Sequence, residues 1–144
     1  MKDKPFYQET IKLFDSVASH NFEMLANLCD DDFGIVDLNE EGKNIVIRDR
    51  QGWEDWFHTL FKRLEQMKAE TWTEVTNYEA IKREDMGYGV ADFDQILKVG
   101  NQKLRFSCIA TIIWKKDGGN WKESRYHSSL LSVKDESRES DRAK

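Results

Sequence analysis

The densest chemistry in the sequence lies near its end. Glu123, Arg125, His127 and Ser129 alternate with Lys122, Ser124, Tyr126 and Ser128. In an extended strand, successive side chains point to opposite faces, so each set of four would share one face. Ionisable groups crowded on one face are costly to bury unless they pair or meet a ligand. Two readings stand. In one, Glu123 and Arg125 form a structural ion pair with His127 hydrogen-bonded beside it. In the other, Arg125 clamps an anion, His127 carries or donates a proton, and Glu123 and Ser129 help hold the ligand.

Two further carboxylate positions stand out. Asp37 follows the apolar pair Ile35-Val36. In an apolar pocket its pKa would rise, and it could take a proton from a carbon next to a carbonyl. It could equally open the turn that begins at Asn39. Asp92 and Asp94 would share one strand face with Tyr88, Val90 and Ile96. On a pocket wall such a pair could be acid, base or cation ligand, with Tyr88 beside it. On an outer face, two charges so spaced guard a strand edge against aggregation. Asp92 is expected on the pocket wall and Asp94 outside it.

These residues need elements to hold them. Tyr7, Ile11, Phe14 and Ala18 mark one apolar face of a first helix over 5–19, with Asp3 as cap and Pro5 in its first turn. Asn21 caps a short second helix carrying Phe22, Leu25 and Cys29, which ends in a solvated acidic corner, Asp30-Asp31-Asp32. Short strands are predicted over 33–38 and 44–48 around the turn Asn39-Glu40-Glu41-Gly42. Asp49 caps a third helix ending near Lys68, with Trp53, Trp56, Phe57, Leu60, Leu64 and Met67 on one stripe. Trp53, in its first turn, could roof a pocket.

The rest alternates. Four long strands are predicted over 70–83, 87–98, 102–116 and 121–133, with turns at Gly100-Asn101 and Asp117-Gly118-Gly119-Asn120. Such short loops require antiparallel pairing. Helices first and a meander second make an α+β domain spanning 1–133, followed by a disordered polar tail from Lys134 to Lys144. The extra turn residue makes a local bulge credible, and a one-residue slip would reverse every facing. Trp114 and Trp121 are expected to clamp the last hairpin as a pair. Trp72 and Tyr78 are expected on one face, either in the core or outward against a partner sheet.

Composition narrows the function classes. The chain has 144 residues, five Trp, four Tyr, eight Phe and a net charge of −5. That length suits one domain with its own core. The acidic balance argues against general nucleic-acid or anionic-membrane binding. The start of the sequence lacks the apolar stretch of a signal peptide, and no run is long enough to span a membrane. Two isolated cysteines, Cys29 and Cys108, fit free thiols in a reducing cytoplasm. His20, His58 and His127 show no metal-ligand spacing, so no metal is expected. No nucleophile elbow or phosphate loop occurs.

Three stretches together resemble the nuclear transport factor 2-like superfamily, in particular its SnoaL-like branch. They are Asn21 to Asp37, with Asp-Asp-Phe entering a strand; Ile47-Arg48-Asp49-Arg50-Gln51-Gly52-Trp53 before an aromatic helix; and Thr111 to Trp121 leading to Arg125-Tyr126-His127-Ser128-Ser129. The resemblance spans about residues 5–132. It implies a cone of three helices wrapped by a bent sheet, with a pocket at the open end and homodimers through the outer sheet face. It implies that Glu123, Arg125, His127 and Ser129 face inward. Arg125 stands where many relatives carry a first His. The setting of Asp37 is similar to the general-base position of ketosteroid isomerases, although the isomerase tyrosine would fall near Leu13 or Phe14, where no phenol occurs.

Such a fold hosts isomerases, cyclases, dehydratases and non-catalytic binders. The expectation is a pocket for a small carbonyl or acidic compound and a cofactor-free isomerase, cyclase or dehydratase step. Trp114 to Ser129 also looks like the association domain of calcium/calmodulin-dependent kinases. That likeness implies the alternative of a non-catalytic homo-oligomeric module.

Overall fold

In the computed structural model, residues 1–39 and 43–137 are described. The turn residues 40–42 and the tail from 138 lie outside them. Three helices precede most of the sheet: α1 (Tyr7–Ala18), α2 (Phe22–Leu28) and α3 (Arg50–Gln66). The strands are β1 (Cys29–Leu38), β2 (Asn44–Ile47), β3 (Glu70–Lys82), β4 (Met86–Val99), β5 (Gln102–Asp117) and β6 (Asn120–Asp135). They form one sheet in the order β2-β1-β6-β5-β4-β3. The architecture is the expected α+β cone, with one refinement. β1 runs parallel to β6, so the sheet is mixed rather than wholly antiparallel.

Local chemistry sets the helix starts. The Asn21 carboxamide accepts from the Met24 amide at 3.1 Å, and Asp49 Oδ1 from the Gly52 amide at 2.7 Å. α1 departs from expectation, because Asp3 does not cap it. Phe6 holds that place with φ 62° and no side-chain cap. A left-handed phenylalanine costs about 1–3 kcal/mol and persists only where packing fixes it. Here its ring stacks on Trp114 (centroids 5.7 Å apart) and meets the edge of Trp121 (5.0 Å). The two tryptophans therefore clamp the hairpin through Phe6 rather than as a direct pair.

The inner face of the sheet and the apolar helix faces share one core, including Leu13, Phe14, Leu25, Phe33, Trp53, Phe57, Phe93 and Trp114. Bulges decide which residues of each strand join it. On β3 the ladder shifts between Val75 and Asn77. Trp72 and Tyr78 therefore lie on opposite faces despite their even spacing. Tyr78 is fully buried and donates to the Pro5 carbonyl at 2.8 Å, while the Trp72 indole reaches Glu74 outside.

On β6, Trp114 pairs with Glu123 but Ile113 with Arg125, leaving Ser124 as an extra residue. Before the bulge Glu123 points inward. Beyond it Tyr126 and Ser128 are buried, and Arg125, His127 and Ser129 are exposed. A second bulge follows Leu130. The strand continues past Val133 to Asp135, where Ser137 Oγ accepts from the Lys103 amide at 2.8 Å.

The acidic run is part of β1, not a free corner. Asp30 meets Lys115 at 3.0 Å, Asp31 meets Arg50 at 3.7 Å, and Asp32 meets Arg125 at 3.3 Å.

Candidate functional site

Between the helices and the inner sheet face lies a cavity of about 170 Å³. Phe14 and Val17 of α1 and Leu25 of α2 line one side, with Trp53, Trp56, Phe57 and Leu60 of α3. Phe93, Leu97, Phe106 and Cys108 line the sheet side. The cavity is thus mostly hydrocarbon and aromatic ring. Asp37, Asn39, Thr71, Gln95, Glu123 and Tyr126 supply its polar groups. Among the described residues, no Lys, Arg or His lines it.

Asp37 sits near the end of β1, across from the inner face of β6. Its Oδ1 accepts from Ser128 Oγ at 2.8 Å and from the Leu38 amide at 2.8 Å. Burial raises its pKa to about 6, against the lowering effect of those two donors. Neither bond uses Oδ2. Glu123 is 2 % exposed, and its Oε1 accepts from the Cys29 thiol at 3.3 Å. Burial pushes its pKa up to about 8, and the negative charge of Asp37 adds to the rise. Tyr126 is buried between them, its phenol held well above the ordinary range by burial and then by the charges of Asp37 and Glu123. The Thr71 hydroxyl is buried with no hydrogen-bond partner among the described residues.

The residues predicted from sequence therefore separate into two groups. Asp37, Glu123 and Trp53 reach the cavity, and Trp53 is packed into its wall at 1 % exposure. Arg125, His127 and Ser129 do not, because the Ser124 bulge turns them to the outer face. Arg125 pairs with Asp32, not Glu123. Its guanidinium also donates to the Asp32 and Ser124 carbonyls, and its stem lies over Gly34, where a Cβ would meet Arg125 Cδ at 3.2 Å.

Asp92 and Tyr88 are also turned outward, Tyr88 at 41 % exposure. The inner positions of β4 are Ala91, Phe93, Gln95 and Leu97, one residue out of step with the expected set. Asp94 is committed to Arg105 at 3.0 Å and Ser107 at 2.8 Å. Tyr126 and Gln95 were missed. Tyr126 puts a phenol in the cavity from β6 rather than from the first helix, and only knowledge of the bulge would have brought it inward. Among the described residues, no group of three or more His, Cys, Asp or Glu is placed to hold a metal, and no helix is long and apolar enough to cross a membrane.

Known structures share this architecture at low identity. A hexachlorocyclohexane dehydrochlorinase, LinA type 2, superposes with a TM-score of 0.69 at 20% identity, covering 86% of this chain and 81% of its own. A dehydratase candidate of the NTF2-like family from Streptomyces avermitilis gives 0.72 at 13%, covering 85% and 91%. A calcium/calmodulin-dependent kinase type II association domain candidate from Thiobacillus denitrificans gives 0.67 at 12%, covering 90% and 96%. At these identities the likeness establishes the fold alone. No curated protein matches the chain in sequence. The sequence pattern of the SnoaL-like domain matches residues 10–133, which takes in α1 from Thr10 and nearly all of the sheet. With this pattern, this strand order and this cavity, the chain belongs to the SnoaL-like domain family, within the NTF2-like fold.

Proposed function

We propose that the domain binds a small, one-ring organic molecule in the cavity and takes a proton from it with Asp37. The observation that carries this reading is a carboxylate with an uncommitted oxygen on the wall of an otherwise apolar cavity of about 170 Å³. A dry cavity of ~150 Å³ accepts benzene, so the size suits one ring. A base with a pKa of about 6 is ionised at neutral pH yet still basic enough to accept a proton in a transition state. The expected acidic ligand loses support, because the cations meant to bind it face outward. A carbonyl compound without an acidic group remains, undergoing isomerisation or elimination without a cofactor. The dehydrochlorinase and the dehydratase candidate that share the fold are both named for eliminations.

The test is a panel of one-ring ketones and alcohols followed by thermal shift and product analysis, on wild type and Asp37→Asn. The variant should keep ligand binding and lose about 10²–10⁴-fold in kcat. In the wild type, kcat should rise with pH through about 6 as Asp37 loses its proton. Full activity in Asp37→Asn would remove the base from the reading.

The outer face is proposed to meet a second copy of the chain. Val36, Val46, Ile109 and Ile113 share that face with Arg125 and His127, and Val46 is 56 % exposed. Light scattering should give a dimer that Val46→Lys weakens. A large ring would instead favour the association module, whose structural neighbour shares the fold. With both thiols free, a reducing cytoplasm is the proposed location.

A further inference from the structure

Among the described residues, the cavity is lined by two carboxyl groups and by no Lys, Arg or His. Asp37 and Glu123 both line it, and the groups that face them include Cys29 and Leu38 from β1, Cys108 from β5, and Tyr126 and Ser128 from β6. None of these can carry positive charge. The cations that act on Cys29, Arg50 and Lys122, are committed to backbone carbonyls. Arg50 donates to the carbonyls of Ala26, Cys29 and Asp30 at 2.9–3.2 Å, and Lys122 donates to the Asn27 carbonyl. Buried carboxyls are normally paired, so a pair left without a counter-ion beside an open volume is an incomplete site.

The two carboxyls are also spaced apart. Ser128, the partner of Asp37, lies five residues beyond Glu123 on β6. At roughly 3.3 Å per residue that is about 16 Å of strand, less what the bulge takes up. Both line the same cavity, and the charge of Asp37 acts on Glu123 there. The Oε1 of Glu123 is taken by the Cys29 thiol, while Oε2 has no hydrogen-bond partner among the described residues.

We propose that the ligand of this cavity carries a protonated amine, held by Oε2 of Glu123 against the aromatic wall, with its other end presented to Asp37. This rests on the cavity reading above and names the ligand class for it. Trp53, Trp56, Phe57 and Tyr126 supply ring faces and edges for the ring and the ammonium. The ammonium donates to Oε2, and Oε1 keeps its thiol donor. Glu123 is mainly protonated in the empty protein at pH 7, so the incoming ammonium displaces its proton to solvent. Charge is conserved: one ammonium enters and about one proton leaves.

The experiment uses benzylamine, benzyl alcohol and benzoate, which are nearly equal in size. Each is titrated calorimetrically into the whole chain at pH 7 in two buffers of different ionisation enthalpy. Benzylamine should bind at least 10-fold tighter than benzyl alcohol, and benzoate weakest. Proton release near one per amine bound should accompany it and be absent for the alcohol. Glu123→Gln should remove both the amine preference and the proton release, while Asp37→Asn keeps the release. Benzyl alcohol binding as well as benzylamine overturns the amine assignment alone. Binding by none of the three overturns the cavity reading with it.

Discussion

At the residue scale, burial shifts the protonation of Glu123, and the shift has a sign. Its pKa rises from an ordinary 4.5 to about 8 on folding, mainly through burial. Between those values the folded chain binds more protons than the unfolded chain. Stability from this group is therefore full at low pH and falls as pH rises toward 8. Asp37, raised from 3.8 to about 6, acts in the same direction over a lower window. Glu123→Gln keeps shape and one acceptor for the Cys29 thiol but cannot ionise. It should raise stability by a few kcal/mol at pH 8.5, taking ~1.4 kcal/mol per pKa unit, and leave it nearly unchanged at pH 4. Urea unfolding of the two proteins at both pH values checks this. A variant less stable at pH 8.5 would mean that another group holds Glu123 ionised in the folded chain. The same burial makes Cys29 a poor nucleophile: desolvation and the neighbouring Glu123 push its thiol pKa far up, so slow alkylation is expected of the folded chain.

At the element scale, one residue of strand decides which chemistry the cavity holds. Alternation along β6 is legible in the sequence, and so is each long strand to within a few residues. What alternation cannot supply is the break in its own count. Glu123 before the bulge is inward as the resemblance implied, whereas Arg125, His127 and Ser129 after it are outward, and Tyr126 and Ser128 replace them. The same failure recurs at Thr76, which parts Trp72 from Tyr78. Bulges are set by pairing between distant strands, so a single strand's pattern does not carry them. Asp37 was legible because its position depends on a short uninterrupted strand, Ile35 to Leu38 paired to Ile47 to Asn44. Deleting Ser124 should therefore leave Glu123 and Tyr126 inward and Arg125 and His127 outward, because Arg125 then follows Glu123 directly in the ladder that Trp114 and Ile113 already set. A cooperative thermal transition within about 10 °C of the wild-type Tm is expected by circular dichroism; loss of cooperative unfolding would show that the bulge itself is needed to hold the strand in place.

At the scale of the whole molecule, the helix layer is tied to the sheet by the start of the chain. Lys4 Nζ donates to the Tyr78 carbonyl at 2.7 Å, the Tyr78 hydroxyl donates to the Pro5 carbonyl, and Phe6 wedges between Trp114 and Trp121. Gly87 leaves the room this needs, since a Cβ there would come within 2.6 Å of the Phe6 ring. None of these residues lines the cavity, whose walls are drawn from later parts of α1, from α3 and from the middle of the sheet. Closure and ligand site should thus be separable. Phe6→Ala removes a side chain that is only 4 % exposed, and with it the packing that holds a left-handed backbone at the helix start. A loss of about 3–5 kcal/mol is expected, as for other buried phenylalanines. At a temperature well below its new Tm, the variant should still bind cavity ligands within a few-fold of wild type. Denaturant unfolding measures the first quantity and calorimetric titration the second. Equal loss of both would mean that the wedge shapes the cavity as well as closing the cone.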